Sequence, residues 1–170
     1  LDKEDYIRLV EKENEPKSPG NLFCYILDED EKKNEIIETI ARQISAAPFT
    51  QMPKCHISYE NLKYRLEDCV YPTVTAWLRA FMDAEMVVTD SFHGCVFSII
   101  FNKPFIVYGN KGRGMARFHS LLSIFGLENR LITNSEDALR VINEPINWEA
   151  VNTKKKEWQK KSYNFLKNNL

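Results

Sequence analysis

Residues 89–94 read Thr-Asp-Ser-Phe-His-Gly and stand between an apolar run typical of a strand and an apolar run typical of a helix. The first-turn N–H groups of such a helix have no backbone partner and carry partial positive charge, which suits a phosphate or carboxylate. An imidazole at that position can add a hydrogen bond or a proton. We therefore expect an anion site centred on His93. The supporting groups would be Asp90, Ser91 and Gly94.

A second polar segment follows the next apolar run, Phe105–Tyr108. Residues 110–117 hold three cations and two glycines, and an arginine guanidinium can bind a carboxylate or phosphate through two parallel hydrogen bonds. If both runs are neighbouring strands of a parallel sheet, the two polar segments meet at its carboxyl edge. Arg113 and Arg117 are therefore candidate anion ligands. Tyr108, at the strand end, is a candidate substrate contact.

Both segments also have a purely structural interpretation. Asp90 or Ser91 would cap the helix, and His93 would be a buried histidine with satisfied hydrogen bonds. Gly94 would let the helix pack closely on the strand. The cationic loop would be a solvated surface loop whose charges pair with nearby acids. Residue spacing alone does not decide between the two interpretations.

Short apolar runs alternate with helical patterns along the chain. We predict strands at residues 22–27, 86–89, 105–108 and 131–132, and a weaker one at 52–57. We predict helices at residues 3–12, after the acids at 29–31, from Pro72, over 95–101, around 118–125, from Ser135 and over 148–168. This alternation predicts an α/β fold with a doubly wound, mostly parallel sheet and helices on both faces.

The 170-residue chain is 44% hydrophobic and has a formal net charge of -1. Such a length suits one compact domain, and such a charge gives no general attraction to nucleic acid. No apolar run approaches the roughly 20 residues that cross a bilayer, and no secretory signal opens the sequence. We therefore expect a cytoplasmic protein without a transmembrane segment. Peripheral association with a membrane is compatible with this composition.

The spacing of the potential metal ligands and glycines argues against several site classes. The four cysteines form no C-x-x-C pair and are expected to be reduced, mostly buried thiols. The three histidines are far apart, so no metal site is expected. Fingerprints for dinucleotides, nucleoside triphosphates and a serine hydrolase elbow are all missing, and no cofactor is predicted. Tyr25, Trp77 and Phe81 fit core positions, and the lysines at 154–156 fit a solvated helix face.

Several runs of the sequence resemble the polysaccharide pyruvyltransferase family. They are Trp77-Leu78, the stretch 84–94 ending in Asp-Ser-Phe-His-Gly, and Phe-Asn-Lys-Pro-Phe at 101–105, with further likeness at 117–122 and 126–131. The resemblance covers about residues 22–132. It implies the carboxy-terminal, donor-binding half of a two-domain enzyme of glycosyltransferase-B type. Residues 1–20 would be an entry helix and linker from a missing amino-terminal domain, and 21–170 the single donor-binding domain with a long C-terminal helix.

The resemblance also implies a reaction. Pyruvate from phosphoenolpyruvate is moved onto two hydroxyls of a sugar as a cyclic ketal, during bacterial exopolysaccharide biosynthesis, and phosphate leaves. His93 would contact phosphoenolpyruvate and act as a general acid oriented by Asp90. Many relatives carry an arginine where this chain has Ser91, so Arg113 or Arg117 would have to supply the missing charge. The partners would be phosphoenolpyruvate, a saccharide acceptor and the absent amino-terminal half, without which the domain would be inactive.

Two other functions agree with the same residues. An anion-binding helix end in this fold serves the diphosphate of a nucleotide-sugar equally well, as in the donor half of an ordinary glycosyltransferase. Alternatively, the serine at position 91 reflects a lost activity, and the domain is a non-catalytic module. Nucleoside diphosphate binding would favour the first of these functions, and absence of turnover by the full-length protein would favour the second.

Overall fold

The computed structural model describes residues 1–28, 30–54, 66–109 and 114–169. The strands within these ranges are β1 (Leu22–Tyr25), β2 (Pro48–Phe49), β3 (Met86–Thr89), β4 (Phe105–Tyr108) and β5 (Leu131–Ile132). The α-helices there are α1 (Lys3–Lys12), α2 (Glu31–Ile44), α3 (Val74–Asp83), α4 (Phe92–Phe101), α5 (Ala116–Phe125), α6 (Ser135–Ile142) and α7 (Trp148–Asn169). None of these helices combines the length and apolar character needed to span a membrane.

The five described strands form one sheet in the order β2-β1-β3-β4-β5, and every pairing is parallel. Tyr25 at the end of β1 is in register with Thr89 at the end of β3, and Thr89 pairs with Val107 on β4. The chain moves outward from β1 to β2, then returns to place β3 on the other side of β1. The doubly wound, Rossmann-like α/β fold is thus confirmed, with its topological switch point between β1 and β3.

The sheet is covered on both faces because its strand residues alternate in direction. Phe23, Val87 and Phe105 pack into one core with helices α1, α3, α4, α5 and α7. Leu22 and Ile106 belong to a second core, formed with α2 and α6. The predicted entry helix α1 contributes Val10 to the first core, where that side chain is fully buried.

Most predicted elements are confirmed, and β3, β4 and β5 have the predicted bounds. The weak strand at 52–57 is wrong: residues 52–54 form no strand, and 55–57 lie outside the described residues. The second edge strand is instead Pro48–Phe49, positioned because the Ala47 carbonyl accepts hydrogen bonds from the backbone N–H groups of Asn21 and Leu22. A proline is tolerated there because an edge strand leaves one row of N–H groups unpaired.

Two further predictions need correction. Pro72 is not the first residue of α3, because Thr73 is the N-cap and its Oγ1 accepts a hydrogen bond from Ala76 N at 3.0 Å. The run 154–156 is not simply a solvated face. Lys155 is partly buried and its Nζ lies 3.5 Å from the Ile100 carbonyl, which accepts its hydrogen bond. Burial lowers the pKa of Lys155 accordingly.

Candidate functional site

The carboxyl ends of β1 and β3 lie side by side at the switch point, and a cavity of about 370 Å³ opens there. Its described walls include Tyr25 from β1, Tyr71 and Trp77 from the approach to α3 and α3 itself, and His93 from the first turn of α4. His93 is exposed to this opening. Doubly wound sheets bind their ligands at this position, so the cavity is the candidate site.

The start of α4 is pressed against the end of β3. The Thr89 hydroxyl donates to the Tyr25 carbonyl at 2.7 Å and accepts from Ser91 N at 3.0 Å. A Cβ atom on Gly94 would lie only 2.2 Å from that same hydroxyl oxygen. Close helix–strand packing therefore explains why residue 94 is a glycine, as the structural interpretation expected. A contact between Gly94 and substrate stays a prediction.

The N-terminus of α4 is not capped by the side chain of its own N-cap residue. Ser91 occupies the N-cap position, but its side chain makes no capping hydrogen bond. By contrast, Asp30, Thr73 and Asn134 cap helices α2, α3 and α6 with their side chains. Burial raises the pKa of Tyr25, and a side-chain hydrogen bond with Ser91 opposes that effect. The proposed capping role of Ser91 is thus wrong, and the first-turn N–H groups of α4 remain without a side-chain acceptor from it.

Asp90 is fully buried beneath the site. Its carboxylate accepts hydrogen bonds from Leu27 N at 2.8 Å and Asp28 N at 3.2 Å, and from the Lys33 ammonium at 2.8 Å. Two of these donors belong to the segment that links β1 to α2, and the third lies in the first turn of α2. Asp90 therefore does not cap α4, and His93 is not among its donors within the described part of the chain. What it holds directly is the β1–α2 segment.

Arg117 lies close to the site, on the first turn of α5. Its guanidinium carbon is 5.4 Å from the centre of the Phe92 ring, and that ring is 6.1 Å from the imidazole of His93. The structure therefore places the predicted cation of Arg117 against Phe92, the residue next to His93. Arg113, the other predicted arginine, lies outside the described residues. Its role as an anion ligand stays a prediction.

Tyr108 faces the other side of the sheet. It packs against the core formed with α2 and α6, and the Lys33 ammonium lies 5.7 Å from its ring centre. The cavity that contains His93 opens beside Tyr25, which belongs to the opposite core. The described walls of that cavity do not include Tyr108. The structure therefore does not bring Tyr108 together with His93 in one cavity.

Three residues of this region were not predicted from the sequence as parts of the site. Tyr25 and Trp77 were predicted as core, and they do pack edge to face at 5.5 Å, but both also line the cavity. The position of Tyr25 at a strand end was the available signal. Lys33 was missed altogether, although it stands three and seven residues before Ile36 and Ile40 and so shares their buried stripe. Within the described ranges, no three His, Cys, Asp or Glu side chains are grouped to hold a metal ion.

The family model for polysaccharide pyruvyl transferase matches residues 2–112, which is more than half of the chain. The chain belongs to the polysaccharide pyruvyl transferase family. The matched range runs from the start of α1 past the end of β4 and contains the whole β3–α4 junction. No curated protein and no solved structure gives a significant match.

The family match and the resemblance seen in the sequence cover different ranges of the chain. The predicted resemblance began later, near residue 22, and extended further, to residue 132. The family match instead includes α1 and stops before α5. Arg117 therefore lies outside the matched range, whereas Asp90, Ser91 and His93 lie within it.

Proposed function

We propose that this chain binds phosphoenolpyruvate as the pyruvyl donor of a polysaccharide pyruvyl transferase. One observation carries the proposal: the N-terminus of α4, which the Ser91 side chain does not cap, presents His93 to a cavity at the β1/β3 switch point. Helix N-termini favour phosphate and carboxylate, and phosphoenolpyruvate carries both groups. The family match supports the pyruvyl transfer part of the proposal.

The chemistry assigns a role to each group near the cavity. Pyruvyl transfer needs a proton on the methylene carbon of the enol, which turns it into the methyl group of the ketal. His93 is exposed to the cavity, and an imidazole can carry that proton near neutral pH. Two acceptor hydroxyls then form bonds to the central carbon and lose their protons, while the C–O bond to phosphate breaks.

The anionic ends of the donor need positive partners. The first-turn N–H groups of α4 would hold one end. The Arg117 guanidinium, beside Phe92, would approach the other and offset the serine at position 91. Arg113 is proposed for the same task on the grounds of its place in the sequence. Ser91 and Tyr25, which follow or end the neighbouring strands β3 and β1, would orient the donor from the β1 side.

The wider setting is also part of the proposal. The chain would act as the donor-binding half of a larger transferase of glycosyltransferase-B type, in the cytoplasm of a bacterium that makes exopolysaccharide. An amino-terminal half of the same polypeptide would bind the saccharide acceptor. The described chain alone would bind the donor without transferring it, because the base that removes the sugar hydroxyl protons would come from that other half.

Calorimetric titration of the chain with phosphoenolpyruvate tests the proposal. We expect saturable binding that is lost or at least about tenfold weaker in His93→Ala, since one hydrogen bond to a charged group is worth roughly 1.5–3 kcal/mol. His119→Ala is the matched control, because His119 is exposed on α5 and lies outside the described walls of the cavity. Equal affinities of the His93→Ala variant and the unaltered chain would contradict the assigned site.

The walls of the cavity favour one second candidate. Tyr71 and Trp77 offer aromatic surface that suits the ring of a sugar or a base, as the donor of an ordinary glycosyltransferase would present. Uridine and guanosine diphosphates, titrated in parallel, test it. Binding of either nucleotide with no response to phosphoenolpyruvate would move the assignment to a nucleotide-sugar donor. No turnover by the full-length protein, despite donor binding, would favour a non-catalytic module.

A further inference from the structure

Lys33 is a charged residue buried against Asp90, at the carboxyl edge of the sheet. It lies in the first turn of α2, and only 2% of the residue is exposed. Its ammonium is 2.8 Å from the carboxylate of Asp90 and 3.6 Å from that of Asp30, and it also donates to the Asp28 carbonyl. Lysine is almost never buried to this extent unless it is paired.

The pair joins the two strand ends that flank the cavity. Lys33 belongs to the segment after β1, and Asp90 immediately follows β3. Asp90 also accepts hydrogen bonds from Leu27 N and Asp28 N, so three donors fix its carboxylate to the β1 side. The next residue along the chain is Ser91, the N-cap of α4. Any movement of Asp90 would therefore be passed to the start of α4.

The Lys33–Asp90 pair affects the site through its charge as well as through its geometry. An unpaired carboxylate at Asp90 would stand one residue before the helix N-terminus where an anion is proposed to bind. Charges interact strongly across the poorly polarisable interior, so that carboxylate would oppose a bound anion. The Lys33 ammonium offsets this charge at 2.8 Å. Because it is itself buried, Lys33 acts through Asp90 and not by direct contact with a ligand.

We propose that Lys33 is a positioning residue of the donor site: it holds Asp90 and neutralises its charge, and thereby leaves the N-terminus of α4 able to bind an anion. This inference rests on the proposed donor function. It differs from a purely structural role, since buried ion pairs often contribute little to stability compared with uncharged residues of similar volume. Removing both charges should therefore preserve anion binding, whereas removing only the lysine should not.

Three variants test this distinction: Lys33→Met, the double variant Lys33→Met with Asp90→Asn, and Lys32→Met. Lys32 is the matched control because it is the exposed neighbour of Lys33 on α2. Urea unfolding first shows the folded fraction of each variant. Phosphoenolpyruvate affinity is then measured by calorimetry, and the backbone amide signals of residues 91–94 are followed by NMR.

We expect Lys32→Met to bind like the unaltered chain and Lys33→Met to bind at least about tenfold more weakly, because one buried charge is left uncompensated. The double variant should recover to within about threefold of the unaltered chain. Unchanged affinity in folded Lys33→Met would overturn the proposal, and so would a double variant that binds tenfold more weakly than the unaltered chain. If Lys33→Met does not fold, the double variant alone decides between recovery and loss.

Inorganic phosphate separates failure of this inference from failure of the donor assignment. It is titrated into the same variants while the amide signals of residues 91–94 are recorded. A phosphate response that is lost in Lys33→Met and restored in the double variant would support Lys33 even if phosphoenolpyruvate does not bind. Phosphoenolpyruvate binding that is indifferent to Lys33 would keep the donor assignment and refute the role of Lys33. No response to either anion in the unaltered chain would refute both.

Discussion

Substituting Gly94 by alanine tests the close approach between α4 and β3. The added Cβ would lie 2.2 Å from Thr89 Oγ1 and 2.8 Å from Thr89 Cβ. Thr89 cannot simply rotate away, because its hydroxyl bonds both Tyr25 O and Ser91 N. Such overpacking costs about 1–3 kcal/mol, and alanine regains up to about 1 kcal/mol of helix propensity. Once that gain is subtracted, the free energy of unfolding should fall by roughly 0–2 kcal/mol.

Urea unfolding of Gly94→Ala, Thr89→Ala and the double variant measures this effect. Thr89→Ala removes Oγ1 and so relieves the shortest overlap, although it also loses two hydrogen bonds. The two substitutions should therefore couple by at least about 0.5 kcal/mol, with the double variant more stable than the sum predicts. Additive effects, or a Gly94→Ala protein more stable than the unaltered chain, would refute the packing argument.

The same substitution should also weaken donor binding, because relieving the overlap displaces the first turn of α4. Gly126→Ala is the control for this readout. Gly126 ends α5 with φ 69°, and the atom nearest to its built Cβ is Lys154 Nζ at 3.7 Å. Its substitution should cost about 1–2 kcal/mol through backbone strain and leave donor affinity unchanged. Equal loss of affinity in both variants would point to general destabilisation.

Two further predictions concern ionisable groups in the core. Burial raises the pKa of Cys24 to about 12, so iodoacetamide at pH 8 should label the partly exposed Cys69 well before Cys24, and equal labelling rates would contradict this. The free energy of unfolding should also fall as pH rises from about 8.5 towards 12, because the Cys24 thiol ionises first in the unfolded chain. Burial by itself would raise the pKa of the Asp83 carboxyl. Hydrogen bonds from Arg79 and Ser18 N outweigh that effect, so the pKa lies below its ordinary value. Asp83→Asn should lower the free energy of unfolding, measured in urea, by about 1 kcal/mol at pH 7. This difference should shrink below about pH 4, where the carboxylate becomes protonated, and a difference that persists there would argue against a role of the carboxylate.

Much of the fold could be predicted because its signals are local. The apolar run Met86–Thr89 is a strand with the predicted bounds, and Gly126 ends α5 in the left-handed conformation. A continuous apolar run indicates burial on both faces, and a glycine after an amphipathic stretch indicates a helix end. The two-residue strand Pro48–Phe49 escaped prediction, because only its pairing with β1 makes it a strand.

The candidate site also has one part that could be predicted from the sequence and another that could not. The rule that parallel sheets bind ligands at their carboxyl edge was enough to select residues 89–94 from the sequence. It was not enough to say what their side chains touch. Ser91 stands at the N-cap but does not cap, and Tyr108 belongs to the opposite face of the sheet from the cavity. Successive side chains along a strand alternate between faces, and Tyr108 follows Val107, the residue in register with Thr89, by one position. Nearness along the edge therefore does not place side chains in one cavity.

The sequence by itself determined that this is a doubly wound α/β chain of the pyruvyl transferase family, and it selected the segment between β3 and α4 as the candidate site. Only the tertiary structure decided how that segment is supported. Lys33 and Asp90 are 57 positions apart, and their ion pair exists because the switch point sets the ends of β1 and β3 side by side. Periodicity reports which face of an element is buried, whereas a pairing across strands depends on sheet order, which no local pattern contains.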